Sequence, residues 1–270
     1  MYGITVHDKE EFCVLAVFGK QLRRSFYVRK NRPVIPGELI HMDACGPMEN
    51  VSLNGSKYSV VFKDDSSRYR QVFFLKKKDE VPRCLGIFLN EACAAGNPAK
   101  CIVSDGGLEF NNENVRKILQ QGGIAARTAM PYTPEQNGLA ERENRILVET
   151  GRSMLHTKEL HIFLWAEAVN TACHVLNRTG PTAVKGKSPF ELWFKRGPAP
   201  IDHFRVFGAE CFVHVPKQRR RKWDKKAAAG RFLGYYDEKD GYKIWLAKTK
   251  KLLLVEMLFS SQKKSLHQYR

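Results

Sequence analysis

The sequence predicts an α/β fold in which a mixed sheet is flanked by helices and followed by a small all-β barrel. Three short apolar segments come first, and segments with helical and strand-like patterns then alternate. After the Gly- and Pro-containing stretch 197–200, the pattern changes to short strand-like segments joined by turns. Such a change is typical of a second, all-β unit.

The first predicted elements are three strands in a meander. Each is rich in β-branched and aromatic residues, and they cover 38–45, 57–63 and 69–75. The polar turn between the second and third strands contains Asp64 and Asp65. We interpret this pair as acids of a solvated turn rather than as metal ligands.

Helices and strands alternate after the meander, as judged from apolar spacing and from Gly and Pro positions. The predicted elements are helices at 79–95 and 113–121, strands at 101–103 and 124–127, and long helices at about 137–155 and 161–176. Asn137 follows a loop with two prolines, and we interpret it as the N-cap of the first long helix. This assignment places Glu141 in the first turn of that helix.

The net charge of +17 is unevenly distributed. Residues 201–270 hold 17 basic and 7 acidic residues, a balance of +10, whereas 36–200 hold 21 basic and 18 acidic residues, a balance of +3. A basic flank beside a nearly neutral centre indicates that the flank binds a polyanion, and nucleic acid is the expected one. A basic surface that serves only solubility would not explain this asymmetry.

The basic run 217–226 is the densest positive segment of the chain. It is interpreted as a phosphate-binding or nuclear-import patch, and the alternative is a solvated turn between strands. Residues expected to contact DNA are Lys217, Arg219, Arg220, Arg221, Lys222, Asn144 and Arg145. Arg145 lies four residues after Glu141, so it could bind a DNA phosphate or pair with Glu141.

The sequence also excludes several protein classes. The apolar runs are far shorter than the ~20 residues that a membrane span needs. The seven cysteines show no CxxC pair, so neither a disulfide framework nor a zinc knuckle is indicated. Acids near the N-terminus do not fit a signal peptide, and we therefore expect an intracellular protein.

Three acids occupy positions that a sheet-and-helix fold could bring together. Asp43 lies within the first strand, Asp105 directly follows the strand at 101–103, and Glu141 lies on the first long helix. Carboxylate oxygens are the ligands that Mg²⁺ prefers. Two such ions can support in-line displacement at a phosphodiester. Spacing alone is a modest signal, because the chain has 28 acidic residues from which three could be chosen.

The motifs around these acids resemble the integrases of copia-type LTR retrotransposons, which are Pol polyprotein fragments of the retroviral integrase superfamily. The matching segments occur in the expected order and are HMDACGP at 41–47, DDSSR at 64–68, SDGGLEF at 104–110, PYTPEQNGLAER at 131–142 and NR at 144–145. The resemblance covers about residues 12–260 and includes 204–260, which look like the small β-barrel after the copia-type core.

The resemblance implies an RNase H-like catalytic core at 36–196 and a basic β-barrel at 203–262. Asp43, Asp105 and Glu141 then map onto the family's catalytic Asp, Asp and Glu, with 35 residues between the last two. The implied activity is DNA integration with two Mg²⁺ or Mn²⁺ ions. The implied partners are double-stranded DNA, as element ends and target, and further copies of the chain. We expect the protein to act in the nucleus.

The chain also departs from the family pattern. Gly106 stands where the family has Asn, and Leu108 where it has a second Gly. The family's paired Cys of an N-terminal zinc module is reduced to Cys13, with Ala16 in the second position, so 1–35 resemble a truncated module and no zinc is expected. These departures favour the alternative of a decayed or domesticated integrase that binds DNA or a protein without catalysis.

Overall fold

The three strands predicted as a meander form the antiparallel half of a five-stranded mixed sheet. The computed structural model describes residues 33–129, 134–236, 241–249, 251–255 and 259–260. The strands of this sheet are β1 (Ile40–Cys45), β2 (Tyr58–Asp64), β3 (Arg70–Leu75), β4 (Cys101–Ser104) and β5 (Ala125–Thr128). Their order is β3-β2-β1-β4-β5, and β4 and β5 run parallel to β1. The predicted α/β sheet is therefore confirmed.

Helices cover both faces of this sheet. They are α1 (Val81–Ala94), α2 (Glu113–Gln121), α3 (Pro134–Thr157), α4 (Trp165–Thr179) and the short α5 (Pro189–Phe194). One core contains side chains of α1 and α2, and a second core, on the opposite side, contains side chains of α3 and α4. None of the described helices is both long enough and apolar enough to cross a membrane.

Alternation along β1 places Asp43 beneath α3. Ile40 and Met42 belong to the same apolar core as Phe88 of α1. Successive strand residues project to opposite faces, so His41 and Asp43 project to the other face. That face is the one on which α3 packs, because Val61 of β2 shares a core with residues of α3.

The helix α3 begins at Pro134, three residues before the predicted start. Proline suits the first helical position, since the backbone N–H that it lacks has no intrahelical partner there. Asn137 is therefore a residue of the helix and not its N-cap, and its side chain donates to the carbonyl of Met42 at 3.2 Å. Glu141 consequently lies in the second turn and not the first.

One stripe of α3 is buried, with members three or four residues apart, as expected for a helix on a sheet. The members are Asn137, Ala140, Glu143, Asn144, Leu147, Gly151 and Leu155. A polar side chain in such a stripe is costly unless it is hydrogen-bonded or paired. The partners of the polar members therefore determine how α3 sits on the sheet.

The second sheet is entirely antiparallel and contains β6 (Glu210–His214), β7 (Ala227–Tyr236), β8 (Gly241–Leu246), β9 (Lys251–Val255) and β10 (Phe259–Ser260). Its order is β10-β6-β7-β8-β9. The all-β unit predicted after the α/β region is thus confirmed. The last two strands, β9 and β10, lie at opposite edges of this sheet.

The second sheet packs on α4. Thr171 donates from Oγ1 to the carbonyl of Leu233 at 2.9 Å, and Lys243 forms an ion pair of 2.9 Å with Glu167. Gly234 permits this close approach, because a Cβ atom there would lie 2.5 Å from Oγ1 of Thr171 and its φ is +142°. The β unit is therefore tied to the α/β region by side chains of α4.

Candidate catalytic site

Asp43 and Asp105 lie beside each other at neighbouring parallel strands. In the pairing of β1 with β4, His41 is opposite Val103. Continuing this register by two residues would bring Asp105, which follows the end of β4, opposite Asp43, and the charge of Asp105 does act on Asp43. Residues in register on adjacent strands project to the same face, so both carboxylates lie on the face that α3 covers.

Glu141 brings a third carboxylate to this place from α3. The negative charges of Asp105 and Glu141 both raise the pKa of Asp43, so the three groups share one electrostatic environment. Asp43 is buried, Asp105 is half-buried and Glu141 is exposed. In the part of the chain that the structure describes, no three His, Cys, Asp or Glu side chains are gathered closely enough to enclose a metal ion. The three charges are therefore adjacent without forming a closed cage.

Asp43 is the most perturbed acid of this group. Burial is the largest cause, and together with the charges of Asp105 and Glu141 it raises the pKa of Asp43 to about 6. A hydrogen bond of 2.8 Å from the side-chain amide of Asn144 to Oδ2 of Asp43 acts in the opposite direction. Burial and the neighbouring charges thus disfavour the ionised form of Asp43, and Asn144 favours it.

The position of Asn144 corrects one expectation from the sequence. Its side chain is 6% exposed and its amide is bonded to Asp43, so it is not presented to DNA. Arg145, the next residue, is exposed. The described residues show no ion pair between Arg145 and Glu141, which leaves Arg145 oriented to solvent.

The loop after β4 is held around Asp105. The backbone N–H of Gly107 donates to Oδ1 of Asp105 at 3.1 Å, and Glu109 forms an ion pair of 2.5 Å with Lys78. A Cβ atom on Gly107 would lie 2.7 Å from Glu109 and 3.0 Å from Asp105, so the loop packs tightly there. Leu108, which departs from the family pattern, points away from this contact and is 82% exposed.

Glu143 is a component of the site that sequence reasoning did not identify. Its carboxylate is fully buried under α3 and forms ion pairs with Lys63 of β2 and, at 2.7 Å, with Arg70 of β3. Glu143 lies two residues after Glu141 and therefore on a different face of α3. The signal that could have found it is its place in the buried stripe of α3, where an acid requires partners.

The turn after β2 was expected to be solvated, and this expectation is wrong. Asp64 is 1% exposed and accepts hydrogen bonds from the backbone N–H groups of Gly37 and Ser67 and from the Ser67 hydroxyl. Asp65 is also buried and forms an ion pair of 2.9 Å with Arg68. Both acids therefore stabilise the turn and the approach to β1.

The basic run 217–226 connects β6 to β7 and lies largely on the surface. Lys217, Arg221 and Lys222 are exposed, whereas Arg220 is partly buried and the side chain of Arg219 lies outside the described residues. Trp223 within the run is 92% exposed. Trp165, Trp193 and Trp245, in contrast, are buried.

Comparison with known proteins relates the whole arrangement to mobile elements. The chain is 39% identical over 243 residues to the retrovirus-related Pol polyprotein from transposon TNT 1-94 of Nicotiana tabacum, a match that covers 89% of this chain and 18% of that protein. It is 31% identical over 186 residues to the corresponding polyprotein from transposon RE2 of Arabidopsis thaliana, with 68% and 13% covered. The chain thus spans less than a fifth of the length of these relatives.

The fold and a family model agree with this relationship. A chain of the simian T-cell lymphotropic virus intasome, solved in complex with PP2A regulatory subunit B56 gamma, matches with a TM-score of 0.52 and 18% identity, covering 89% of this chain and 83% of that chain. Residues 209–256 match the model of the retroviral polymerase SH3-like domain. The chain therefore belongs, as one part of a longer type of protein, to the retrovirus-related Pol polyproteins of copia-type transposons, and it has an α/β region followed by an SH3-like unit.

Proposed function

We propose that the chain is an integrase-type enzyme that joins the 3′ ends of element DNA to target DNA. The observation that carries this proposal is the shared negative environment of Asp43, Asp105 and Glu141 at the α3 face of the sheet. The relationship to copia-type Pol polyproteins supports it, since strand joining is the activity that the resemblance implies.

Asp43, Asp105 and Glu141 are the groups that would hold two Mg²⁺ or Mn²⁺ ions. The donor set fits these hard cations, because it consists of carboxylate oxygens. Burial raises the pKa of Asp43 most, the negative charges of Asp105 and Glu141 raise it further, and bound cations would compensate this concentration of negative charge. When bound, such ions activate an attacking hydroxyl and stabilise the leaving oxygen of an in-line displacement.

The residues of the chain orient these carboxylates. Asn144 holds Oδ2 of Asp43, and the N–H of Gly107 holds Oδ1 of Asp105. Glu141 is exposed and so has the rotational freedom to turn toward the two aspartates. In the proposed reaction, water first attacks a phosphodiester near the element end. The 3′-hydroxyl released then attacks a target phosphodiester, forming one P–O bond while another breaks.

The DNA-binding part of the proposal rests on charge and exposure. Lys217, Arg221 and Lys222 form an exposed positive surface on the SH3-like unit, and Arg219 and Arg220 belong to the same run. Phosphate contacts from such residues bind DNA of any sequence. Trp223, exposed among them, offers a ring on which an unpaired base can stack. Arg145 offers a further phosphate contact close to Glu141.

We also propose that the chain works as a multimer in the nucleus. The structural neighbour is a chain of an intasome, which is consistent with an assembled form. Genomic target DNA lies in the nucleus.

The test is a strand-transfer assay with an oligonucleotide that ends in the element's terminal sequence, performed with Mg²⁺, with Mn²⁺ and with chelator. Joining should require a divalent cation and should disappear in Asp105→Asn, while DNA binding by that variant stays equal to or slightly above that of the parent, since a negative charge near DNA is removed. Glu113→Gln, which neutralises an exposed acid on α2, is the matched control. Metal-independent DNA binding without joining would instead identify a non-catalytic binding module.

A further inference from the structure

Glu143 is anchored from two strands at once. Its carboxylate pairs with Lys63 of β2 and Arg70 of β3, and the side-chain exposures of Glu143, Lys63 and Arg70 are 0%, 11% and 4%. Removing one partner of a buried ion pair is strongly destabilising, because it leaves an uncompensated buried charge. α3 therefore has a strong preference for the placement in which Glu143 reaches both cations.

Arg70, the partner of Glu143 on β3, is itself held in place by hydrogen bonds. The guanidinium of Arg70 donates from Nη2 to the carbonyl of Arg68 at 3.1 Å. Asn177 of α4 accepts from the backbone N–H of Arg70 at 3.0 Å and donates to its carbonyl at 2.7 Å. These hydrogen bonds hold Arg70 in place, so its ion pair with Glu143 forms only when α3 is placed with Glu143 next to Arg70.

The same stretch of α3 carries two residues of the candidate catalytic site. Asn144 directly follows Glu143 and holds Asp43, while Glu141 precedes Glu143 by two residues. A helix residue turns by about 100° and advances about 1.5 Å relative to its neighbour. A shift of α3 by one residue would therefore separate Glu143 from its cations and would also move Asn144 away from Asp43.

We propose that Glu143, through Lys63 and Arg70, is a positioning residue that sets the rotation and axial position of α3, so that Asn144 reaches Asp43 and Glu141 faces the two aspartates. This inference rests on the proposed function for the identity of the metal ligands. It adds an ionic anchor outside the ligand set, made by side chains from β2, β3 and α3. Because the two cations lie on neighbouring strands of one sheet, both ion pairs are kept only in a narrow range of placements of α3.

Lys63→Met is the decisive variant, because a positioning role and a purely electrostatic role of Lys63 predict opposite changes in Mn²⁺ affinity. Removing a positive charge near three carboxylates would strengthen cation binding if only electrostatics mattered. If Lys63 acts by placing α3, the variant should bind Mn²⁺ ~10–100-fold more weakly, which is the usual effect of removing a group that orients metal ligands. Lys57→Met, at an exposed position just before β2, is the control and should bind Mn²⁺ like the parent.

A triple variant, Lys63→Met with Arg70→Met and Glu143→Leu, separates positioning from stability. It leaves no member of the cluster as an unpaired buried charge, because apolar groups replace all three side chains, and such a replacement is often neutral or stabilising. Mn²⁺ binding is measured by water-proton relaxation and unfolding by urea titration. The triple variant should recover the stability that Lys63→Met loses, while its Mn²⁺ affinity remains at least ~10-fold below the parent's.

Any one of three results would overturn the inference. Lys63→Met could bind Mn²⁺ as well as or better than the parent, the triple variant could regain the parent's Mn²⁺ affinity, or hydrogen exchange over 137–147 could be unchanged in Lys63→Met. A separate result would contradict the proposed function. If the parent does not bind Mn²⁺, or if Asp105→Asn binds Mn²⁺ as well as the parent does, the assignment of the metal ligands fails. Hydrogen exchange over 137–147 in Lys63→Met would still show whether the ion pairs of Glu143 hold α3 in place.

Discussion

The side-chain amide of Asn144 donates a hydrogen bond of 2.8 Å to Oδ2 of Asp43, so a residue of α3 holds the acid buried in β1. This bond lowers the pKa of Asp43, while burial and the charges of Asp105 and Glu141 raise it to about 6. Asn144, a neutral side chain, therefore favours the ionised form of Asp43 against burial and against the two neighbouring acids.

Asn144→Ala should shift the pH dependence of strand transfer. Without the amide, the pKa of Asp43 rises above about 6, so at a given pH near neutrality a smaller fraction of Asp43 is ionised. The acidic limb of the pH–rate profile should move to higher pH, and raising the pH should restore part of the activity. Asn114→Ala, on the exposed side of α2, should leave the profile in place. A uniform drop in rate with an unmoved acidic limb would contradict this account.

The sequence predicted the parts of this site that depend on local pattern. Strand alternation and the order of the acidic motifs indicated Asp43 within β1, Asp105 after β4 and Glu141 on a helix. The burial of Glu143 could not be predicted in this way, because its partners Lys63 and Arg70 come from strands more than seventy residues earlier in the chain.

Two other differences have local causes. The burial of Asp64 depends on the backbone N–H of Gly37, which a turn propensity does not include. The short helix α5 was missed although its sequence signal was present. Ser188 and Glu191 form a capping box, and Pro189 occupies the first helical position, but six residues are too few for an apolar period to show.

The free energy of unfolding should decrease with decreasing pH, because His174 binds a proton more readily in the unfolded chain than in the folded chain. Burial, followed by the positive charges of Arg178 and His203, lowers the pKa of His174 from 6.5 to about 3. The unfolded chain therefore binds a proton between these values that the folded chain does not, so the stability present above pH ~6.5 is lost as pH falls toward 3. Between pH 7.5 and 5.5 the decrease should be roughly 1 kcal/mol in urea titrations.

His174→Phe provides the comparison for that measurement. The ring of His174 stacks on Tyr235 with centroids 4.0 Å apart, and phenylalanine can keep this stacking without titrating. The difference in unfolding free energy between parent and variant should shrink or reverse as pH falls. A constant difference across the range would show that His174 does not bind its proton differently in the folded and unfolded chains.

Gly234→Ala should weaken the junction between α4 and the SH3-like unit. At φ +142° a side chain is strained, and the added Cβ would lie 2.5 Å from Oγ1 of Thr171, which bonds to Leu233. We expect a decrease of about 1–3 kcal/mol or more in the free energy of unfolding. Gly86→Ala, on α1 with no atom within 4 Å of the new Cβ, should instead be neutral or stabilising. Equal effects of the two substitutions would argue against a tight junction at Gly234.

Replacing Arg221, Lys222 and Lys225 with Ala should weaken DNA binding uniformly across sequences. These side chains are exposed in the run between β6 and β7, and each phosphate that they neutralise releases counterions from DNA. The slope of log affinity against log salt should become shallower by about 0.9 for each phosphate that is no longer neutralised. A control with the same change in charge is the triple substitution of Lys100, Lys185 and Lys187, which are exposed on the α/β region. If both triple variants show the same decrease in affinity and slope, DNA responds to net charge alone and the basic run is not a specific binding surface. A shallower slope in the first variant only would locate the phosphate-binding residues on the SH3-like unit, apart from the carboxylates of the core.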